Sequence, residues 1–234
     1  KNLLLFVPLL AAHQLGNIQA LSLLIIAFLS FSLCASSVYI TNDLFDLESD
    51  RSHPRKRFRP FASAKLPISY GVVAATVLIG VSITLSAIVG SDFLIVLLLY
   101  LILTLAYSLF LKRLVLVDCF MLATLYTVRI IAGAAAVSVS LSFWLLAFSI
   151  FIFLSLALIK RYAELIVQSQ KGKTDIHGRG YLVSDASLLQ ILGVSSGYIS
   201  TLVIALYLRS EDVVSLYSQP LAIWFLIPIL LFWI

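Results

Sequence analysis

Residues 18–41 read IQALSLLIIAFLSFSLCASSVYIT, a run of 24 residues without a charged side chain. About 20 apolar residues are enough for a helix to cross the hydrocarbon core of a bilayer, which is roughly 30 Å thick. Backbone N–H and C=O groups find no water in lipid, so a single span must pair them internally as a helix. The stretch therefore predicts a transmembrane helix.

Further apolar runs flank this segment, and together with it they predict eight helices. They cover residues 3–12, 66–89, 93–111, 114–139, 141–167, 186–208 and 220–234. Charged residues make up 12% of the 234-residue chain and hydrophobic residues 62%, whereas soluble proteins carry about 25% charged residues. We expect an all-α fold, a polytopic membrane helical bundle. It would form one domain over residues 1–234, truncated at both ends because the first and last runs are short.

Basic residues are distributed unevenly between the loops. If the loops alternate between the two membrane faces, one face carries 14 of the 16 lysines and arginines, in residues 1, 51–65, 112–113 and 160–179. Cytoplasmic loops are enriched in these residues, so this face is predicted to be cytoplasmic. A net charge of +5 placed in such loops suits lipid headgroups or anionic substrates and does not indicate nucleic-acid binding.

The most informative polar cluster follows the first long run and reads Asn42-Asp43-Leu-Phe-Asp46-Leu-Glu-Ser-Asp50. On a continuing helix Asp43, Asp46 and Asp50 share one face, where like charges repel. Oxygen ligands without His or Cys favour Mg²⁺ together with a substrate phosphate. We predict that the three aspartates are catalytic and that they bind the metal together with Asn42, which is also predicted to bind substrate. The alternative is a solvated acidic helix end, although a helix C-terminus disfavours carboxylates.

The segment that follows is rich in cations and reads Arg51-Ser-His-Pro-Arg-Lys56-Arg57-Phe-Arg59-Pro. Beside an acidic face this density suits a polyanion such as a diphosphate, and Lys56, Arg57 and Arg59 are candidates to bind it. The alternative is a cytoplasmic loop that contacts lipid headgroups.

A second polar loop covers residues 171–185. Glycines on either side of Arg179 permit close approach of a phosphate to the backbone. We predict that Asp175 binds metal, and that Arg179, Tyr181 and Asp185 bind substrate.

Four residues outside these loops complete the predicted substrate-binding set. They are Lys1, Asn2, Lys112 and Lys160. Lys160 has a simpler alternative, an ion pair with Glu164 one helical turn later.

Two charged residues, Asp118 and Arg129, fall inside one predicted span, where charges are costly and tend to be functional. Their separation of 11 residues corresponds to about 16 Å of helix rise, too far for a direct pair. For Arg129 we favour an internal structural salt bridge, and for Gly133 close helix packing. Cys34 and Cys119 lie within apolar runs and predict no disulfide.

Residues 42–60 resemble the signature of the UbiA-type intramembrane prenyltransferase superfamily. The pattern Asn-Asp-x-x-Asp-x-x-x-Asp ends the second apolar run, and a second polar loop follows the sixth. Several segments are similar to the decaprenyl-phosphate phosphoribosyltransferase branch. They are Asp-Arg-x-His-Pro-x-Lys-Arg-x-Arg-Pro at residues 50–60, Lys1-Asn2 with the apolar residues that follow, Tyr107-Ser-Leu-x-Leu-Lys112, Arg129-x-x-Ala-Gly133 and Lys160-Arg-Tyr-Ala-Glu-Leu165.

This resemblance implies nine transmembrane helices around a cavity that opens to the cytoplasm, in the inner membrane of a bacterium. It also implies Mg²⁺-dependent transfer of 5-phosphoribosyl from phosphoribosyl pyrophosphate to a polyprenyl phosphate, with release of pyrophosphate, in arabinan and cell-wall biosynthesis. Many superfamily members carry a second acidic pair where this chain has Asp185 alone. The alternatives are transfer of an allylic prenyl group to an aromatic or other small acceptor and, outside enzymes, membrane transport.

Overall fold

A computed structural model describes residues 1–52, 55–170, 172, 180–210, 213 and 221–234. Within these ranges every regular element is a helix, which confirms the predicted all-α class. In chain order the α-helices are α1 (Val7–Ala11), α2 (Ile18–Phe45), α3 (Leu47–Ser52), α4 (Ile68–Val89), α5 (Ser91–Leu109), α6 (Val117–Val137), α7 (Phe143–Gln170), α8 (Ala186–Tyr207), α9 (Leu221–Trp224) and α10 (Leu226–Trp233).

Six of these helices, α2 and α4 to α8, are long and apolar enough to cross a membrane. The first predicted run forms a shorter helical segment than these six, a 3₁₀ turn (Asn2–Phe6) that continues into α1. The last predicted run is divided between α9 and α10. Pro228 accounts for this division, because it has no N–H group to donate to the carbonyl of Trp224.

Helix α2 begins at a capped residue and ends among the acidic side chains. Asn17 Oδ1 accepts a hydrogen bond from the N–H of Ala20 at 3.1 Å, as an N-cap should. The helix breaks at Asp46, and α3 then carries the acidic segment onward. The N–H groups of Asp46 and Asp50 still donate four residues back, at 2.9 and 2.8 Å. Helical spacing therefore persists across the break and keeps the acids near one another.

Small side chains join the long helices by hydrogen bonds to backbone carbonyls. Between α2 and α4, Ser30 and Ser82 each donate to the other's carbonyl, at 2.8 and 2.7 Å, and Ser37 donates to Ala75 at 2.8 Å. Between α7 and α8, Ser155 donates to the carbonyl of Gly193 at 2.7 Å. Such contacts replace the hydrophobic effect as the force that associates helices in lipid.

The short N-terminal segment crosses α6 at Gly133. A Cβ atom added there would lie 1.9 Å from the backbone oxygen of Leu5, so only glycine fits. The close packing predicted at this glycine is confirmed. Both cysteines, Cys34 and Cys119, are buried and free, as predicted.

Candidate active site

The acidic residues at the end of α2 and in α3 are paired with cations rather than facing each other across an open space. One guanidinium nitrogen of Arg59 lies 2.7 Å from an oxygen of Asp43 and 2.7 Å from an oxygen of Asp50. Arg59 follows a 3₁₀ turn (Lys56–Phe58) that brings the chain back toward α3. Asp50 is 1% exposed, so this contact stabilises a charge that is removed from solvent.

The third acid has a different partner. Lys112 Nζ lies 3.0 Å from each oxygen of Asp46, and Asn42 donates to the same carboxylate at 3.1 Å. Lys112 belongs to a 3₁₀ turn (Leu111–Arg113) between α5 and α6. The fold thus brings this lysine to the acidic motif from a loop far along the chain.

The chemistry of these donors fits a hard cation. Asn42, Asp43, Asp46 and Asp50 offer only oxygen atoms, which Mg²⁺ prefers. Asp50 Oδ1 is buried and accepts no hydrogen bond from the described residues, and Lys56 Nζ lies 3.7 Å away. No group of three or more His, Cys, Asp or Glu side chains converges on one point within the described ranges. The ion pairs of these carboxylates with Arg59 and Lys112 would therefore have to break before the carboxylates could coordinate one metal ion together.

A cavity of about 160 Å³ adjoins the acidic motif at Asn42 and extends into the helical bundle. Its wall contains several hydroxyl groups and two cations, and includes Tyr39, Tyr100, Thr104, Tyr107, Ser108, Tyr126, Lys1 and Arg129. A second cavity of about 340 Å³ shares Lys1, Ala35, Tyr39 and Arg129 with the first. A third, of about 350 Å³, lies at the opposite end of the bundle around Asn17, Gly90 and Asp92, without a lysine or arginine in its wall. The first two are the ones connected to the predicted site.

Arg129 was not among the predicted site residues. We expected an internal salt bridge, but among the described residues no carboxylate lies within ion-pair distance of it. Its hydrogen-bond acceptors are Asn2 Oδ1 at 3.2 Å, the hydroxyl of Tyr100 at 3.0 Å and the carbonyl of Leu125. The expected salt bridge was therefore wrong. The sequence shows only that Arg129 lies in an apolar run, three turns from the acid of the same span, and it does not show what faces the guanidinium.

Asp118, the acid of that span, has a separate set of partners. Arg161 lies 2.7 Å from Asp118 Oδ2 and also contacts Glu164. The predicted alternative of a Lys160–Glu164 pair is thus replaced by an Arg161–Glu164 pair, and Lys160 is exposed. The Tyr181 hydroxyl donates to Asp118 Oδ1.

Tyr181 was predicted to bind substrate, and its position does not fit that role. Its side chain is fully buried, and its hydroxyl accepts the N–H of Leu116 at 2.8 Å while donating to Asp118. Burial, together with the hydrogen bond to Asp118, raises the pKa of the Tyr181 phenol. The residue is a neutral donor that anchors the second polar loop to the start of α6.

The other predicted residues divide into three groups. Lys1 and Asn2 lie in the cavity walls, as a substrate-binding role requires. Asp185 instead accepts the N–H of Leu182 at 2.9 Å in the turn before α8, and Arg57 is exposed with its guanidinium carbon 4.9 Å from the centroid of Phe58. The remaining two, Asp175 and Arg179, lie outside the described residues.

Comparison with known proteins gives a family for this arrangement. The UbiA prenyltransferase family matches residues 3–234. Sinorhizobium fredii protein y4nM is 38% identical over 221 residues, which are 94% of this chain and 43% of that protein. Nodulation protein NoeC of Azorhizobium caulinodans is 38% identical over 213 residues, 91% of this chain and 69% of that protein.

A mycobacterial enzyme and a solved archaeal structure extend the comparison. Decaprenyl-phosphate phosphoribosyltransferase of Mycobacterium tuberculosis is 37% identical over 176 residues, 74% of this chain and 58% of the enzyme. The chain therefore spans only part of the curated relatives that it matches. A UbiA homologue from Archaeoglobus fulgidus bound to GPP and Mg²⁺ matches with a TM-score of 0.72 at 14% identity, over 89% of this chain and 73% of that one. That structure shares the fold, and the match over residues 3–234 shows that the chain belongs to the UbiA prenyltransferase family.

Proposed function

We propose that this chain forms the membrane-embedded core of a phosphoribosyltransferase. It would move 5-phosphoribosyl from phosphoribosyl pyrophosphate to a polyprenyl phosphate of the decaprenyl type and release pyrophosphate. The observation that carries the proposal is the set of acid–cation pairs, Asp46 with Lys112 and Asp43 and Asp50 with Arg59, at the mouth of a cavity that contains two more cations. Similarity to the mycobacterial phosphoribosyltransferase supports the same substrates.

The density of positive charge favours two phosphorylated substrates over one. Lys112 and Arg59 at the mouth, with Lys56 beside them, suit the pyrophosphate of a donor. Lys1 and Arg129 lie in the cavity wall and remain for a second anionic group. An allylic diphosphate and a neutral aromatic acceptor would use only the first set.

Asn42, Asp43, Asp46 and Asp50 would hold Mg²⁺, and we retain Asp175 as a proposed ligand from the second loop. When bound, the metal would neutralise charge on the pyrophosphate as it leaves the anomeric carbon. Lys112 and Arg59, freed from the carboxylates, would bind the oxygens of the same leaving group. The acceptor phosphate is already ionised at neutral pH, so the site requires no general base, and the described residues place no His beside a carboxylate there.

The site is proposed to face the cytoplasm of a bacterial inner membrane. The acidic motif and the Lys112 turn meet at one end of the bundle, the end that carries most of the lysines and arginines. Phosphoribosyl pyrophosphate is hydrophilic and highly charged, so it would reach the site from water on that face. The product would then supply arabinofuranose donors for the cell envelope.

The direct test uses the full-length protein in nanodiscs with Mg²⁺, phosphoribosyl pyrophosphate and a short polyprenyl phosphate. We expect a phosphoribosylated lipid and an equal amount of pyrophosphate. Asp46→Asn should abolish both products, and Asp92→Asn, at the opposite end of the bundle, serves as the matched control. Wild-type protein that forms no product from this pair would contradict the proposal.

Prenyl transfer is the second candidate, favoured by the family to which the chain belongs. The same nanodiscs would be supplied with geranyl diphosphate and a neutral phenol as the aromatic acceptor. Formation of a prenylated aromatic product, with no phosphoribosylated lipid in the parallel reaction, would replace the first function with the second.

A further inference from the structure

We propose that Lys1 and Arg129 form a second anion-binding site, separate from the acidic motif, that takes a phosphate monoester without a metal. The site's existence is argued from the side chains in the bundle, whereas the identity of its occupant rests on the proposed function. Both proposed substrates carry a phosphate monoester, one on a lipid and one on the sugar.

Arg129 is the first observation. Its side chain is 6% exposed in the middle of the apolar helix α6, where an uncompensated charge is expensive. Its three acceptors, Asn2, Tyr100 and Leu125, are all neutral. A guanidinium has five N–H groups, so two of them remain for a ligand after these three bonds. Buried charges are normally paired, and an anion in the adjoining cavity would complete this one.

A second cation faces the same aromatic ring. Lys1 Nζ lies 5.7 Å from the centroid of Tyr126, and Arg129 Cζ lies 5.2 Å from it. Each cation is attracted to the ring, but the two positive charges repel one another. An anion held by both side chains would remove that repulsion. Two cations of different geometry, a planar fork and a point charge, are well suited to the oxygens of a phosphate.

The walls around these cations contain no acid. Among the residues that line the two connected cavities, none is an Asp or Glu. The acidic residues at the mouth are themselves paired with Arg59 and Lys112. The bundle therefore separates a metal-type site of oxygen donors from a purely cationic site within one continuous space.

The second cavity suggests how a lipid would arrive. It is lined by Leu3, Phe28 and Tyr39 as well as by Lys1 and Arg129. Leu3 and Tyr39 are 69% and 60% exposed, and at membrane depth such surfaces face acyl chains. A polyprenyl chain could lie along this opening while its phosphate reaches the two cations. A sugar phosphate would reach them instead from the mouth, past Asn42.

The test measures binding in EDTA, so that metal-bridged binding at the acidic motif is absent. Full-length protein in nanodiscs is titrated separately with farnesyl phosphate and with phosphoribosyl pyrophosphate, and farnesol measures the contribution of the chain alone. Arg129→Met should lower the affinity for one of the two phosphorylated ligands by at least about tenfold. Lys1→Gln should lower the affinity for the same ligand, since each variant loses a charge-assisted contact. Arg209→Met, an exposed cation at the other end of the bundle, is the matched control and should bind both as wild type does.

The outcomes are distinct. Loss of farnesyl phosphate binding assigns the site to the lipid, and loss of phosphoribosyl pyrophosphate binding assigns it to the sugar phosphate. Unchanged affinity for both ligands in Lys1→Gln and in folded Arg129→Met overturns the site. If Arg129→Met does not fold, Arg129→Lys takes its place. This variant keeps the positive charge but loses the planar guanidinium with its paired N–H donors. Its affinity for the same phosphorylated ligand should fall measurably, by less than tenfold. Turnover of wild-type protein is measured separately, so a failure of the proposed reaction leaves the binding result intact.

Discussion

Lys112 Nζ lies 3.0 Å from both carboxylate oxygens of Asp46, a residue 66 positions earlier in the chain. A lysine that occupies both oxygens of a proposed metal ligand competes with the metal. Lys112 therefore has two opposing roles: it stabilises the metal-free site and it is a proposed ligand of the leaving pyrophosphate.

Replacing Lys112 with Met should separate those roles. Metal affinity without substrate should increase about two- to fivefold, the equivalent of a partly exposed ion pair of roughly 0.5–1 kcal/mol. Turnover should fall on the order of 10²-fold, because a cation that stabilises the leaving group is lost. Mn²⁺ titration and pyrophosphate release measure the two quantities, and Lys65→Met, an exposed lysine on the same face, is the control. Metal affinity that is unchanged or weaker in Lys112→Met would disprove the competition.

Asp50 should contribute to stability as well as to activity. The Asp50→Asn change weakens the contact between a buried carboxylate and the partly exposed Arg59, and we expect a loss of about 1–3 kcal/mol in the free energy of unfolding. Glu48→Gln alters an exposed acid two residues earlier and should stay within about 0.5 kcal/mol. Thermal unfolding in detergent compares the pair. Equal melting temperatures would show that the buried carboxylate is not held as described.

Tyr181→Phe should destabilise the protein without changing substrate affinity. The change leaves the N–H of Leu116 and an oxygen of Asp118 without their partner, at a cost of about 1–2 kcal/mol. Tyr198→Phe, on the exposed face of α8, is the control. A lower melting temperature with an unchanged KM supports the structural role. An increased KM at an unchanged melting temperature would restore the original prediction of substrate binding.

Gly133→Ala should prevent the N-terminal segment from packing on α6. A Cβ atom would lie 1.9 Å from the backbone oxygen of Leu5, and backbone cannot move aside as a flexible side chain can. We expect a loss of at least about 2 kcal/mol and faster proteolysis of the first residues. Gly80→Ala, where no atom lies within 4 Å of the added carbon, should be neutral or slightly stabilising. Similar proteolysis of both variants would argue against the close crossing.

The long helices and their approximate ends could be predicted because each follows from apolar length alone. Asn42 and the three aspartates could be placed together because helical spacing is local. The partners of those acids could not be predicted in detail, since Lys112 and Arg59 reach them through turns whose direction depends on packing. The same limit explains Tyr181, which lies at the end of a polar loop in the sequence although its side chain is buried against the start of α6.

For Arg129 the sequence suggested an acidic partner that the described residues do not provide. A charged residue within an apolar run suggested a buried salt bridge, since that is the common way to compensate such a charge. Whether an acid or an empty space lies opposite it depends on which helix faces α6 at that depth. That information is tertiary, and the sequence contains no local trace of it.

The serine hydrogen bonds between α2 and α4 limit how far these two helices can move apart. Separating the two helices would break the reciprocal Ser30–Ser82 pair and the Ser37–Ala75 bond, and the hydrocarbon of a bilayer offers no hydrogen-bond partner to replace them. The opposite flank of α2 meets the N-terminal segment with a bond from Asn2 to Ser32 at 3.0 Å. An opening for a lipid tail would therefore form between α2 and the N-terminal segment, while α2 and α4 move together as one rigid unit.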